Sequence, residues 1–185
     1  MRIVAGTHGG RRIVAPRGGV TRPTSDRVRE ALFSILGPLD GIDVIDLFAG
    51  SGALGLEAVS RGAASATLVE SSRPALAIIR RNVESLGMGE RVRVIGRDWR
   101  AALAAERAAS RSFGLCLCDP PYTLTDRVVA GIGAALAPVM ASPGTVVIEH
   151  SAALSPPHPS GLEIATRIDR SYGDSAVSVM RLEAP

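Results

Sequence analysis

The sequence predicts an α/β fold, a seven-stranded and mostly parallel sheet with one antiparallel strand and helices on both faces, preceded by an N-terminal β-hairpin. Three observations predict it. From Asp43 to Ile148, apolar strand-like runs alternate with segments of helical periodicity, the pattern of consecutive β-α units feeding a parallel sheet. After the Pro-rich stretch Ser155-Pro-Pro-His-Pro-Ser160 the helical pattern stops, and two strand-like runs, Leu162 to Ile168 and Ala176 to Leu182, are joined tightly at Ser171-Tyr-Gly-Asp174. A closing hairpin of this kind supplies the antiparallel strand. Third, the chain of 185 residues is 46% hydrophobic but only 3% aromatic, so one aliphatic core of Val, Ile, Leu and Ala fills one domain.

The elements follow in order. Arg2-Ile-Val-Ala5 and Arg12-Ile-Val-Ala15 are near copies separated by Gly6-Thr-His-Gly-Gly10, which predicts two short strands joined by a glycine turn. Such a hairpin is too small to stand alone and must lean on the main domain or a ligand. After the loop Arg17 to Pro23, Ser25 caps a helix carrying Val28, Ala31, Leu32, Ile35 and Leu36, stopped by Gly37-Pro38. Asp43 to Phe48 is the first core strand, followed by a glycine turn and a helix to about Arg61. Ala66 to Glu70 is the second strand. Pro74 suits the first turn of a helix with Leu76, Ile79, Val83 and Leu86 on one stripe, ended by Gly87. Val92 to Ile95, Phe113 to Cys118 and Thr145 to Ile148 are the next strands, with an Ala-rich helix after Asp98 and another that Thr125 can cap. No further boundary interrupts the chain after Gly41.

Gly50, Gly52 and Gly55 have the spacing G-x-G-x-x-G between a strand and a helix, and Glu70 ends the next strand where a ribose would lie. That context makes the fold Rossmann-like. Ligands of such sheets sit at the carboxyl ends of the strands, which gathers Asp46, Glu70, Asp98 and Asp119 around one crevice. A pyrophosphate there would meet several carboxylates, with Arg73 and Arg97 better placed outside. At about 4 Å and an effective dielectric near 20, each like-charge contact costs roughly 4 kcal/mol, which argues against an anion and against a nicotinamide dinucleotide. S-adenosylmethionine carries a sulfonium and an ammonium, and it fits.

The strand Phe113 to Cys118 ends in Asp119-Pro120-Pro121-Tyr122. Prolines have no N–H, so the Pro120 carbonyl is left outside the sheet ladder, and Asp119 before a proline is held extended. The Asp119 carboxylate and the Pro120 carbonyl then offer two acceptors beside a flat ring. This suits a planar group with an amino function, such as a nucleobase. As a bare motif, Asp-Pro-Pro also serves as a turn.

Charge is unevenly spread. Up to Glu30 the chain has seven arginines against two acidic residues, an excess of five positive charges that leaves the rest at −2 of the total +3. A basic arm on a near-neutral body points to a polyanionic partner. All basic residues are Arg and none is Lys, a bias that genome composition alone can produce. Cys116 and Cys118 lie at i and i+2 on one strand face, cannot bridge each other, and read as core residues of a reducing cytosol. Neither combines with His8, His150 or His158 at metal-ligand spacing, so no metal site is expected. No long apolar run or secretory leader is present, which predicts a cytoplasmic protein without a membrane partner.

Val44-Ile-Asp-Leu-Phe-Ala-Gly-Ser-Gly-Ala-Leu-Gly55, Glu70, Asp98 and Asp119-Pro-Pro-Tyr122 together resemble class I S-adenosylmethionine-dependent methyltransferases that modify exocyclic amines. With Arg2-Ile-Val-Ala-Gly6, Gly10-Arg-Arg12 and Arg22-Pro-Thr-Ser-Asp-Arg-Val-Arg-Glu-Ala-Leu-Phe33, the chain is similar to the small-subunit ribosomal RNA guanine-N2 methyltransferase D family as far as the strand at Val146. The tail from Ser155 matches only loosely. The resemblance implies an arm and loop over 1–23 and a methyltransferase domain over 24–185 that opens with a helix at 24–37. It implies a guanine of 16S rRNA in the small ribosomal subunit as substrate, S-adenosyl-L-methionine as cofactor, and a monomer. Asp46, Phe48, Gly50, Ser51 and Gly52 would hold the methionine end, Glu70 and Ser71 the ribose, and Asp98 the adenine amino group with Trp99 against its ring. Asp119 and Pro120 would bind the target amine and Tyr122 would stack on guanine. Arg2, Arg11, Arg12, Arg22 and Arg27 would meet RNA phosphates. Two readings stay open beside this one: a DNA adenine-N6 methyltransferase, whose acceptor motif is similar, and a non-catalytic RNA-binding assembly factor.

Overall fold

The structure, a computed structural model, describes residues 1–15, 26–121 and 125–183, with the backbone alone at 125–127. Helix α1 (Asp26–Leu36) precedes β1 (Asp43–Leu47), α2 (Ala53–Ser60), β2 (Ser65–Val69), α3 (Arg73–Leu86) and β3 (Val92–Ile95). Then come α4 (Trp99–Ala108), β4 (Phe113–Cys118), α5 (Thr125–Leu136), β5 (Met140–Ser151), β6 (Ile164–Tyr172) and β7 (Ser175–Leu182). The strands form one seven-stranded sheet in the order β3-β2-β1-β4-β5-β7-β6. Only β7 runs against its neighbours, pairing antiparallel with both β5 and β6, so the expected single antiparallel strand is present.

Alternation along each parallel strand divides the apolar side chains between two cores. Val44, Ala66 and Leu68 face one side and pack with α1, α2 and α3. Ile45, Leu47, Cys116 and Cys118 face the other and pack with α4 and α5. Both cysteines are free and buried, and burial drives their thiols well up from the ordinary range. They therefore act as core residues. Helix α3 ends at Gly87 in the left-handed region, φ 69°, and Asp98 caps α4 by accepting the Arg100 N–H at 2.9 Å.

The N-terminal segment forms the expected hairpin in a short version: the Ile3 N–H donates to the Arg11 carbonyl at 2.9 Å, the Gly10 N–H to the Ile3 carbonyl at 2.8 Å and the Ile13 N–H to the Met1 carbonyl at 3.1 Å. Arg2 and Arg12 form a single antiparallel bridge around a 3-10 turn at Gly6–His8. Ile3 and Ile13 are buried in the first core, and beside the hairpin's own bonds the backbone groups of Val4, Ala5 and Val14 are satisfied by helix side chains. Glu57 of α2, fully buried, accepts the N–H of Val4 at 2.6 Å and of Ala5 at 3.0 Å. The arm lies so close to α2 that a Cβ at Gly6, φ +80°, would fall 1.8 Å from the Ser60 carbonyl oxygen. Other differences are at strand ends: β5 begins before Thr145, and β6 runs through Asp169 and Arg170 to Tyr172 as the outermost strand. The expected Ser25 cap lies outside the described residues, as does the Thr125 side chain.

Candidate functional site

The sheet reverses its winding between β1 and β4. From β1 the chain moves outward through β2 to β3, then returns to lay β4 on the other side of β1. At such a switch point the loops leaving adjacent strands diverge and open a crevice at their carboxyl ends. Leu47 pairs with Cys118 in register, and the Asp119 N–H points to the Leu47 carbonyl at 3.4 Å. The two motifs singled out in the sequence, Phe48 to Gly55 and Asp119-Pro120, thus leave the sheet side by side.

The turn after β1 is tight because its backbone is folded into the left-handed region at several points. Gly50 has φ 57° and Gly52 φ 79°, and Phe48, a non-glycine residue, has φ 62°. A bulky residue held there stores on the order of 1–3 kcal/mol of strain, which surrounding contacts must offset and which concentrates at functional sites. The half-buried Phe48 ring lies 6.4 Å from the Trp99 ring. The three glycines do different work. A Cβ at Gly50 would meet only the Phe48 carbonyl oxygen at 3.9 Å, so its face is open to a ligand. One at Gly55 would fall 2.2 Å from Leu68 Cδ2, so that glycine serves the packing of α2 on the sheet.

Two carboxylates hold this turn from below and from the side. Asp46 is buried at 1% exposure, and its Oδ2 accepts the Gly55 N–H at 2.9 Å. Burial, only partly countered by that bond and reinforced by the neighbouring charge of Glu70, pushes its carboxyl from 3.8 up to about 7. Glu70 accepts the Gly50 N–H at 2.9 Å through Oε2, and the Ser71 and Ser72 N–H groups, both at 2.8 Å, through Oε1. A carboxylate has about four acceptor directions, so Oε2 retains capacity for a hydroxyl. A raised Asp46 beside the Glu70 carboxylate that helps raise it describes a pocket that a cation would stabilise and an anion would not. The donor set therefore fits the ammonium and sulfonium of S-adenosylmethionine.

Two expected site residues sit differently from the simple reading. Trp99 is only 4% exposed, within the second core, and the Arg100 guanidinium lies 4.2 Å over its ring. It backs Phe48 and does not present an open face for stacking on adenine. Arg11, placed among the RNA contacts, donates to the carbonyls of Ser85 at 2.5 Å and Leu86 at 3.3 Å, the orphan acceptors at the C-terminus of α3. Arg2 is exposed and pairs with Asp26 at 3.0 Å, while Arg12 and Arg27 are exposed. Tyr122 and Arg22 lie outside the described residues. Among the described residues, no group of three or more His, Cys, Asp or Glu side chains is gathered as metal ligands would be. Nor is any helix among them long and apolar enough to cross a membrane.

Sequence reasoning missed Glu57 and Asn82, two buried polar side chains that anchor the arm. Their one signal was a polar residue breaking an otherwise apolar helix face, beside Leu56 and Ala58 for Glu57 and between Ile79 and Val83 for Asn82.

Comparison with known proteins gives a consistent picture. The family model described as Conserved hypothetical protein 95 matches residues 1–181. A Bacillus subtilis protein named "Putative rRNA methyltransferase YlbH" is 32% identical over 191 residues, covering 98% of this chain and 98% of that one. Ribosomal RNA small subunit methyltransferase D of Escherichia coli is 40% identical over 123 residues, which span 66% of this chain and 60% of that protein. Among solved structures, a hypothetical protein of Thermus thermophilus superposes with a TM-score of 0.81 at 31% identity, covering 100% of this chain and 99% of that one.

Proposed function

We propose that this chain, which belongs to the Conserved hypothetical protein 95 family of small-subunit rRNA methyltransferase D and its relatives, methylates the exocyclic N2 amine of a guanine in 16S rRNA. It is a methyltransferase of Rossmann-like fold that uses S-adenosylmethionine, and its substrate is ribosomal RNA. Guanine N2 within the small ribosomal subunit is what the similarity to small subunit methyltransferase D suggests, and the reading of an exocyclic amine as the acceptor rests on one observation. The acidic turn of β1 and the Asp119-Pro120 acceptor pair of β4 leave adjacent strands at the switch point, with Leu47 and Cys118 in register between them.

When bound, S-adenosylmethionine supplies a methyl group made electrophilic by its sulfonium. The chain's own groups do the rest. Asp46 and the Gly50-Ser51-Gly52 turn hold the methionine end, Glu70 with Ser71 takes the ribose hydroxyls, and Asp98 takes the adenine amino group beside Phe48. The guanine amine is a weak nucleophile because its lone pair is delocalised into the ring. The Asp119 carboxylate and the Pro120 carbonyl each accept one of its N–H bonds, favour a pyramidal nitrogen and aim the lone pair at the methyl. Orientation of this kind can supply several kcal/mol of barrier lowering without a strong base. The amine's proton leaves after transfer, and Asp119 is placed to accept it. In this proposal Tyr122 would stack on the flipped base, and Arg2, Arg11, Arg12, Arg22 and Arg27 would meet the RNA phosphates. The protein works as a cytoplasmic monomer on this reading.

The test is to supply labelled methyl donor with naked 16S rRNA, intact small subunits or DNA. Label in guanine N2 of the RNA is expected. Label on DNA adenine alone overturns the ribosomal reading, and RNA binding without any transfer favours an assembly factor.

A further inference from the structure

The arm and the cofactor turn share one side chain. Asn82 of α3 is 0% exposed. Its Oδ1 accepts the Val14 N–H at 2.8 Å, and its Nδ2 donates to the Val14 carbonyl at 2.9 Å and to the Ser51 carbonyl, also at 2.9 Å. A side-chain amide has two N–H donors, and here one is spent on the arm and the other on the turn. The bonds to Val14 copy the pairing of a β-ladder, which fixes the plane of the amide. That plane in turn fixes where the Ser51 carbonyl points, and with it the peptide between Ser51 and Gly52 at the centre of the turn.

No other polar side chain among the described contacts joins the same two segments so closely. The second link, the Ser51 hydroxyl at 3.7 Å from the Met1 sulfur, is a weak one. Val14 is itself 38% exposed, so its backbone is held while its side chain contributes little packing. The arm is therefore held at this point mainly by the Asn82 amide.

From this geometry we propose that Asn82 is a positioning residue through which docking of the N-terminal arm sets the shape, and hence the cofactor affinity, of the Gly50-Ser51-Gly52 turn. This rests on the reading of that turn as the S-adenosylmethionine site. The consequence is linkage. Whatever moves the arm at Val14 changes how tightly the turn holds its ligand, and ligand at the turn favours the docked arm by the same factor.

The experiment is a double-mutant cycle read by calorimetric titration with S-adenosylhomocysteine, on full-length protein whose folding is checked by thermal melting. Val14→Pro removes the N–H that Asn82 accepts without touching Ser51. Asn82→Ala removes both links. Each is expected to weaken binding roughly tenfold, and the double variant to bind within about twofold of Asn82→Ala, because both act through one connection. Losses that multiply, or a Val14→Pro protein that binds like wild type, overturn the proposal. Should Asn82→Ala not fold, Val14→Pro is compared with Glu57→Gln, which loosens the arm at Val4 and Ala5 by another route. Weakening in the first and not in the second supports the link, and equal weakening in both overturns it. A wild-type protein that binds no S-adenosylhomocysteine sinks the proposed cofactor site itself, a result separate from any outcome of the cycle.

Discussion

Two aspartates of one sheet, Asp46 on the central β1 and Asp169 on the outermost β6, are handled in opposite ways. Asp169 on β6 sits in a finished network: the Ser178 hydroxyl donates to it at 2.6 Å, and the Arg167 Nε lies 2.9 Å from each of its oxygens. Arg167 also donates to Ser178 Oγ and to the Pro157 carbonyl, and His150 Nε2 lies 3.1 Å from the same hydroxyl. Burial there works to raise the carboxyl, but the bonds from Ser178 and Arg167 outweigh it and hold Asp169 below its ordinary range. Asp46 on β1 has one backbone N–H and a neighbouring negative charge, and it is raised to about 7. The difference teaches where to look for function. A carboxylate whose charge is answered within the protein belongs to the architecture, and one left raised belongs to a ligand.

Substitutions in the two regions should therefore fail in different ways. The largest effect is expected at the central crevice: Asp119→Ala should lower methyl transfer to rRNA by on the order of 10³-fold, while titration shows S-adenosylhomocysteine affinity within about threefold of wild type. Loss of cofactor binding in step with activity would instead make Asp119 part of the cofactor pocket.

Next is the pH response of Asp46. Its folded value of about 7 lies above the ordinary 3.8, so the folded protein retains a proton that the unfolded chain releases in between. Its contribution to stability is complete below the lower value and is lost as pH rises to the upper one. Asp46→Asn should flatten that decline and make the ligand-free protein more stable at pH 8 by up to about 4 kcal/mol, measured by urea unfolding at pH 5 and 8. An unchanged difference between the two pH values would show that Asp46 is not the titrating group.

On the edge strand, Arg167→Ala should cost about 1–2 kcal/mol of unfolding free energy with kcat/KM within twofold of wild type. Smallest is Asp169→Asn. Its effect at pH 7 should stay under about 1 kcal/mol because the carboxylate is partly exposed. The sign is reversed: a lowered carboxyl stabilises above its unfolded value of 3.8 and loses that contribution as pH falls through its lower folded value. Acid unfolding curves of the two Asn variants should diverge in opposite directions, and parallel curves would erase the contrast.

What could be read from the chain depended on how local the cause was. Val92–Ile95 and Phe113–Cys118 matched their expected limits because each is a short apolar run closed by its own neighbours, Gly96 after one and Asp119-Pro120 after the other. The glycine turn, Glu70 and Asp119 were legible for the same reason: spacing along the chain carried them. Strand β5 begins at Met140 and passes through Pro143, which reads locally as a breaker. The sheet accepts it where the register with β4 shifts between Phe113 and Leu115. Asp169 and Arg170 looked like loop because an edge strand with one open side can be polar. The arm was legible as a hairpin because Arg-Ile-Val-Ala repeats around a local glycine turn, but its anchors Glu57 and Asn82 lie far away in sequence and were not. Trp99 looked like a platform until the fold put Arg100 over its ring.

The charged outermost strand has a consequence for the company the molecule keeps. A sheet margin is a row of unsatisfied backbone groups that invites another chain to add to it. Here that margin carries Arg167, Asp169 and Arg170 along β6, and an incoming strand would have to strip water from them. The polar rim thus works as a fender, discouraging strand-by-strand accretion into fibrils when many copies crowd together.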